Sequence, residues 1–192
     1  DVYKRQILNS PSNPSGAVYS AAELRALTDV LLRHPQVWIL SDEIYAPFCY
    51  SGQSHASPVQ VEPQLIPRTL IVNGMSKSYA MTGWRIGYGA GPGDLIKAMS
   101  TVMSQSTSCP SAISQVAAQA ALEGDQSSVT QMVDIFKARR DLIVRRLNDI
   151  PGISCAMPDG AFYVYANVQG LIGRTGPAGE LKTDLDVSLF FL

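Results

Sequence analysis

Three short apolar runs, Ile7-Leu8, Val37–Leu40 and Thr69–Val72, each end abruptly in polar or small residues. Unbroken runs of that length suit strands buried on both faces, as in a sheet covered by helices. The first gap carries a helix signal. Ser20 with Glu23 makes a capping box, and Leu24, Leu27, Val30 and Leu31 form an apolar stripe that stops at Pro35. Strand and helix in alternation predict an α/β fold around a mainly parallel sheet. Ile86–Gly91 reads as a further strand of open direction, and Pro47–Pro67 reads as loop.

Two helices are expected next, over 94–104 and 110–122, before the character changes near Gly124. A long amphipathic helix should span Val129–Asn148, followed by strands at Ile153–Ala156 and Phe162–Ala166 around the Pro158-Asp-Gly160 turn. We therefore divide the chain into 1–122, part of a large sheet domain, and 123–192, part of a smaller C-terminal α+β domain. Thr183 with Asp186 reads as a helix start, and Leu185, Leu189 and Leu192 then recur at helical spacing up to the last residue. With no initiator methionine and a fresh apolar face at the end, we expect a fragment of a longer protein, inactive alone.

Composition narrows the function classes. The 46% apolar and 16% charged content supports a real core, and a net charge of −1 offers nothing to nucleic acid or a membrane surface. No apolar run is long enough to span a bilayer, and Asp1–Gln6 lacks the core of a signal peptide. Arg139, Arg140, Arg145 and Arg146 are interleaved with Asp134, Asp141 and Asp149, which reads as a solvated face. Cys49, Cys109 and Cys155 are unclustered and odd in number; they argue against a disulfide framework or zinc site and for a reducing, cytoplasmic setting. His34 and His55 are read as solvent-side, Trp38 and Trp84 as core and packing groups, and no metal is expected.

The polar residues after the apolar runs carry the chemistry, because α/β sheets bind ligands at the carboxyl ends of their strands. Asn13 follows the first run, Asp42 and Tyr45 the second, Ser76 and Lys77 the third, with Arg85 eight residues beyond Lys77. A lysine in a small-residue turn can meet a carbonyl as a neutral amine, while the arginine supplies a fixed cation for an anion. Schiff-base chemistry on a phosphorylated aldehyde needs that pairing.

These segments, in this order, resemble the class I/II aminotransferases, fold-type-I enzymes dependent on pyridoxal 5'-phosphate (PLP), and most of all the bacterial aspartate aminotransferase-like members. Asn13-Pro-Ser-Gly16 is similar to the family's Asn-Pro-Thr-Gly motif, with Ser15 in the threonine place. Ser41–Tyr45, Ser76-Lys77, Gly83-Trp-Arg85 and Pro158–Tyr163 match its later motifs. The resemblance implies that Lys77 is the cofactor lysine and that Asp42 holds the ring nitrogen protonated. It implies that Tyr45 and Asn13 donate to the phenolic oxygen, Asn13 also lying beside the substrate carboxylate, while Arg85 and Ser76 receive the phosphate. It further implies amino-group transfer between an L-amino acid and a 2-oxo acid by a homodimer. Gly74 departs from relatives that carry a hydroxyl three residues before the lysine. A carbon–sulfur β-lyase, or a non-catalytic regulator built on the same fold, are the alternatives.

Overall fold

The computed structural model describes residues 4–50, 52, 54–176 and 179–192. Four strands form one sheet in the order β1-β2-β3-β4: β1 is Arg5–Asn9, β2 Trp38–Asp42, β3 Thr69–Gly74 and β4 Gly87–Ala90. β1, β2 and β3 run parallel, and β4 returns antiparallel to β3. The expected α/β architecture is present, and the direction left open for the last strand is settled by this tight return.

Helix α1, Ala21–Leu32, starts at the predicted capping box, with Ser20 and Glu23 satisfying each other's backbone amides. Its Leu24 is buried, and Leu31 and Leu32 pack on the sheet cluster of Leu8, Ile39 and Leu65. Arg68 closes the other end of α1, donating from Nη2 to Leu31 O at 2.6 Å and from Nη1 to His34 O at 3.0 Å. That cation on free carbonyls also favours the negative end of the helix dipole. The segment expected to be loop is partly ordered: Pro58–Val61 is a short helix, α2, and Pro63–Arg68 a 3₁₀ turn. Proline at the first helical position and Ser57 before it start α2, signals too brief to show periodicity.

Beyond the sheet, α4 (Gly93–Ser106), α5 (Ala112–Glu123) and α6 (Ser127–Asn148) lie close to their expected spans; α3, Met75–Ser78, is the single turn that carries Lys77. The small strands are shorter than expected. β5 is only Ser154–Cys155 and pairs with β6, Ala166–Asn167, while Phe162–Tyr165 is irregular. Phe162 and Tyr163 both pack their rings into a cluster with Tyr45, Phe48 and Phe136 instead of alternating across a sheet, while Tyr165 stays exposed. β7 (Thr175–Gly176) and β8 (Gly179–Glu180) make a two-stranded ribbon, and α7, Asp184–Phe191, follows the predicted Thr183–Asp186 capping box. A second core of Ile153, Leu171, Leu181 and Val187 holds this part together.

The sheet and the later segment meet through glycines. Gly160 N–H donates to Gly16 O at 2.8 Å, and Ala161 N–H donates to Phe48 O at 2.8 Å. Gly16 has φ +70°, which glycine adopts without strain, and a Cβ there would stand 2.4 Å from Pro158 Cβ. A Cβ on Gly160 would meet Phe48 O at 2.5 Å, Val18 Cγ2 at 2.6 Å and Pro11 Cβ at 2.9 Å. Gly160→Ala should therefore destabilise the full-length protein by about 1–3 kcal/mol through overpacking. Gly93→Ala, where a Cβ meets nothing within 4 Å, should stay within about 0.5 kcal/mol of the parent. Denaturant titration of the two variants checks this; equal midpoints would contradict the close approach at Gly160.

Candidate active site

Asp42 ends β2 and Lys77 follows β3, so parallel pairing sets them on one edge of the sheet. In register, Asn9 stands against Asp42 and Asp42 against Val72. The Asn9 side chain ties the row to the next motif. Its Nδ2 donates to Asp42 O at 3.3 Å, and its Oδ1 accepts from Asn13 N–H at 2.8 Å. Asn9 went unremarked in the sequence, although asparagine at a strand end is a usual way to fix the following turn. Asp42 Oδ1 accepts from Ile44 N–H at 3.2 Å.

Tyr45 is buried, and its hydroxyl is hydrogen-bonded to that of Tyr163. Burial pushes the Tyr45 hydroxyl well above its ordinary range, the Tyr163 contact and the Asp42 charge push the same way, and the nearby Asn13 amide opposes them. Asn13, Asp42 and Tyr45 thus share one neighbourhood. Lys77 Nζ lies 5.8 Å from the Phe162 ring centroid, and that ring is 5.2 Å from Tyr45 at 84°. The aromatic contact brings the lysine to the same group, with the ring face offering a mild attraction for an ammonium.

The lysine turn is shaped by close backbone contact. Gly74 faces Gly87 across β3 and β4, and a Cβ on Gly74 would stand 3.0 Å from Gly87 Cα and 3.1 Å from Ile86 O. Its φ of −177° is ordinary extended backbone, so space and not conformation calls for glycine there. No side-chain hydroxyl fits at that position as packed, which accounts for the departure noted in the sequence. Ser76 is half-buried beside Lys77. Arg85 sits at the end of the Thr82–Trp84 turn with φ +51°, exposed, its Nη1 donating to Thr82 O at 3.0 Å. Ser114 of α5 pins that turn by donating to Trp84 O at 2.7 Å.

Several expectations are corrected. His55 is not solvent-side: its side chain is 14% exposed, and Nε2 lies 3.1 Å from Glu43 Oε2 without meeting hydrogen-bond geometry. Trp38 and Trp84 are both 44% exposed and so not core groups. Arg140 leaves the wet side of α6, bonding to Pro158 O at 3.0 Å and lying 4.8 Å from the Tyr50 ring centroid. Among the described residues no cluster of His, Cys, Asp and Glu suits a metal ion, and no helix is long and apolar enough to cross a membrane.

Glu43, overlooked in the sequence because Asp42 precedes it, is a buried carboxylate. It accepts from Ser57 Oγ at 2.6 Å and Ser41 Oγ at 2.9 Å, and its N–H donates to Val72 O at 2.9 Å. Burial pushes its carboxyl up, but His55, Ser57 and Ser41 together outweigh that and hold it below its free value of 4.5. A depressed carboxyl contributes stability that is complete above the free value and lost as pH falls through the folded one. Glu43→Gln should therefore flatten the fall in melting temperature below pH 4.5 and cost about 1–3 kcal/mol at pH 7. A variant with an unaltered acid limb would contradict the assignment.

Comparison with known proteins was made on this geometry. Residues 4–184 match the model of the family described as aminotransferase class I and II. The chain is 54% identical over 187 residues to the aspartate aminotransferase of Rhizobium meliloti (strain 1021), covering 97% of this chain and 46% of that protein. It is 53% identical over 178 residues to the aspartate/prephenate aminotransferase of Cereibacter sphaeroides, covering 93% of this chain and 44% of that one. The crystal structure of the Rhizobium meliloti aspartate aminotransferase superposes with a TM-score of 0.92 at 54% identity, over 96% of this chain and 46% of that chain. The chain thus spans about half the length of the curated relatives it matches.

Proposed function

Because the chain belongs to the class I and II aminotransferases, we propose that the full-length protein carrying it is a PLP-dependent transaminase acting on an aspartate-like L-amino acid and a 2-oxo acid. The observation that carries this reading is the gathering of an amine, a carboxylate, a phenol and an amide (Lys77, Asp42, Tyr45, Asn13) around the ends of β1, β2 and β3. That donor set suits the aldehyde, the ring nitrogen and the phenolic oxygen of PLP, and the names of the matched relatives favour amino transfer over β-elimination or a regulatory role.

Bound PLP supplies an aldehyde for amines and a ring that takes up an electron pair. The chain's own groups do the rest. Lys77 would hold the cofactor through its Nζ and would serve as the general base and acid that takes and returns a proton. Asp42 would keep a proton on the ring nitrogen, Tyr45 and Asn13 would donate to the phenolic oxygen, and Arg85 with Ser76 would receive the phosphate. We further read the large and small domains as dividing near residues 122–123 and the parent as a cytoplasmic homodimer, on the family's architecture and the free cysteines.

Two variants of the full-length protein test this. Lys77→Ala should abolish conversion of L-aspartate with 2-oxoglutarate. Asp42→Ala should bind PLP yet lose ~30- to 1000-fold in turnover, the equivalent of roughly 2–4 kcal/mol of transition-state stabilisation. Unchanged turnover in Asp42→Ala would refute its role. Release of pyruvate and ammonia in place of a new amino acid would replace transamination with β-elimination.

A further inference from the structure

The Tyr45 and Tyr163 hydroxyls meet where the sheet abuts the 158–163 turn, hydrogen-bonded, with ring centroids 5.4 Å apart and planes at 84°. Phe162 braces both, its centroid 5.2 Å from that of Tyr45 and 5.0 Å from that of Tyr163, and it stacks at 5.0 Å on Phe136 of α6. Tyr45 is 4% exposed, so its ring has no alternative direction in which to face water. The geometry of the hydroxyl is therefore set by its neighbours.

A phenolic oxygen has one proton to give and two lone pairs to fill. Were Tyr45 to donate to Tyr163, its proton would be unavailable to any ligand. In the chain by itself the Tyr163 contact helps to hold the Tyr45 proton in place, as a bond donated by Tyr45 does; with a ligand acceptor present the bond reverses, and with Tyr163 as donor one lone pair of Tyr45 is filled. The Asn13 amide beside the same oxygen favours its ionised form, as an N–H donor to the second lone pair does. The Tyr45 proton is then left for a third partner. Donation into an oxygen also strengthens that oxygen's own O–H as a donor.

We propose that Tyr163 is a positioning residue, which donates its hydroxyl proton to Tyr45 and so commits the Tyr45 proton to the phenolic oxygen of bound PLP. This rests on the role proposed above for Tyr45 and deepens it. Tyr163 would act through the Tyr45 hydroxyl, the contact the structure shows. It also makes the site depend on the 158–163 turn, which Gly160 anchors to Gly16 next to Asn13.

The test is a pH titration of the visible absorbance of PLP bound to the full-length protein, without amino-acid substrate, in Tyr45→Phe, Tyr163→Phe and the double variant. A donor to the phenolic oxygen stabilises its ionised form, so losing that donor raises the midpoint of the absorbance change. Tyr45→Phe should raise it most. Tyr163→Phe, which keeps the packing ring, should raise it by a few tenths of a pH unit, as expected if each donated bond strengthens the next by roughly 10–30%. The double variant should shift no further than Tyr45→Phe, because Tyr163 acts only through that hydroxyl. An unmoved midpoint in Tyr163→Phe beside a shifted one in Tyr45→Phe would overturn the proposal and leave the role of Tyr45 intact. Additive shifts would overturn it too, as would a Tyr45→Phe midpoint equal to the parent's, which alone would also remove the reading of Tyr45.

Discussion

Parallel pairing of β1, β2 and β3 in one register is the constraint on which the rest depends. It puts Asn9, Asp42 and Val72 in a single row, with the chain leaving each strand toward the same edge. A strand slip of one residue would turn Asp42 to the opposite face. The row is held from within: the Asn9 side chain joins the Asp42 carbonyl to the Asn13 amide, and Glu43 N–H reaches Val72 O. The antiparallel return through Gly74 and Gly87 then lets the Lys77 turn close tightly against β4.

The second half of the chain supplies a wall for this edge. Close backbone packing at Gly16 and Gly160 admits no side chain, and the aromatic group of Tyr45, Phe48, Phe136, Phe162 and Tyr163 fills the space beside it. Edge-to-face contacts near 5 Å between these rings combine large apolar burial with fixed angles. The same rings that make the core thus reach Lys77 and Tyr45. Packing and the surroundings of Lys77 share residues here, so a change in Phe162 reaches Lys77 as well as the core.

The parts legible in the sequence were those with strong local patterns. Apolar runs marked β1, β2 and β3, and capping boxes placed α1 and α7 to the residue. Asn13, Asp42, Tyr45, Lys77 and Arg85 were singled out through their order after those runs and through the family motifs; the fold sets the first four around the strand ends, and their roles remain the proposal made above. What stayed hidden depends on tertiary contact. Phe162–Tyr165 has strand composition, yet it stays irregular, with the adjacent rings of Phe162 and Tyr163 both drawn into the aromatic cluster. His55 looks like a polar loop residue until Glu43 is seen to be buried beside it. Arg140 reads as a charge on a wet face, and only the fold brings Tyr50 and Pro158 to it. The partnership of Tyr45 with Tyr163, 118 positions apart in the chain, has no local signal at all.

The central claim is that Lys77 is the residue through which this edge of the sheet holds its cofactor. Borohydride reduction of the PLP-loaded full-length protein, followed by peptide mass mapping, tests it most directly. The account predicts a phosphopyridoxyl group on Lys77. A label on another lysine of this segment, such as Lys97 or Lys137, with Lys77 unmodified, would contradict it.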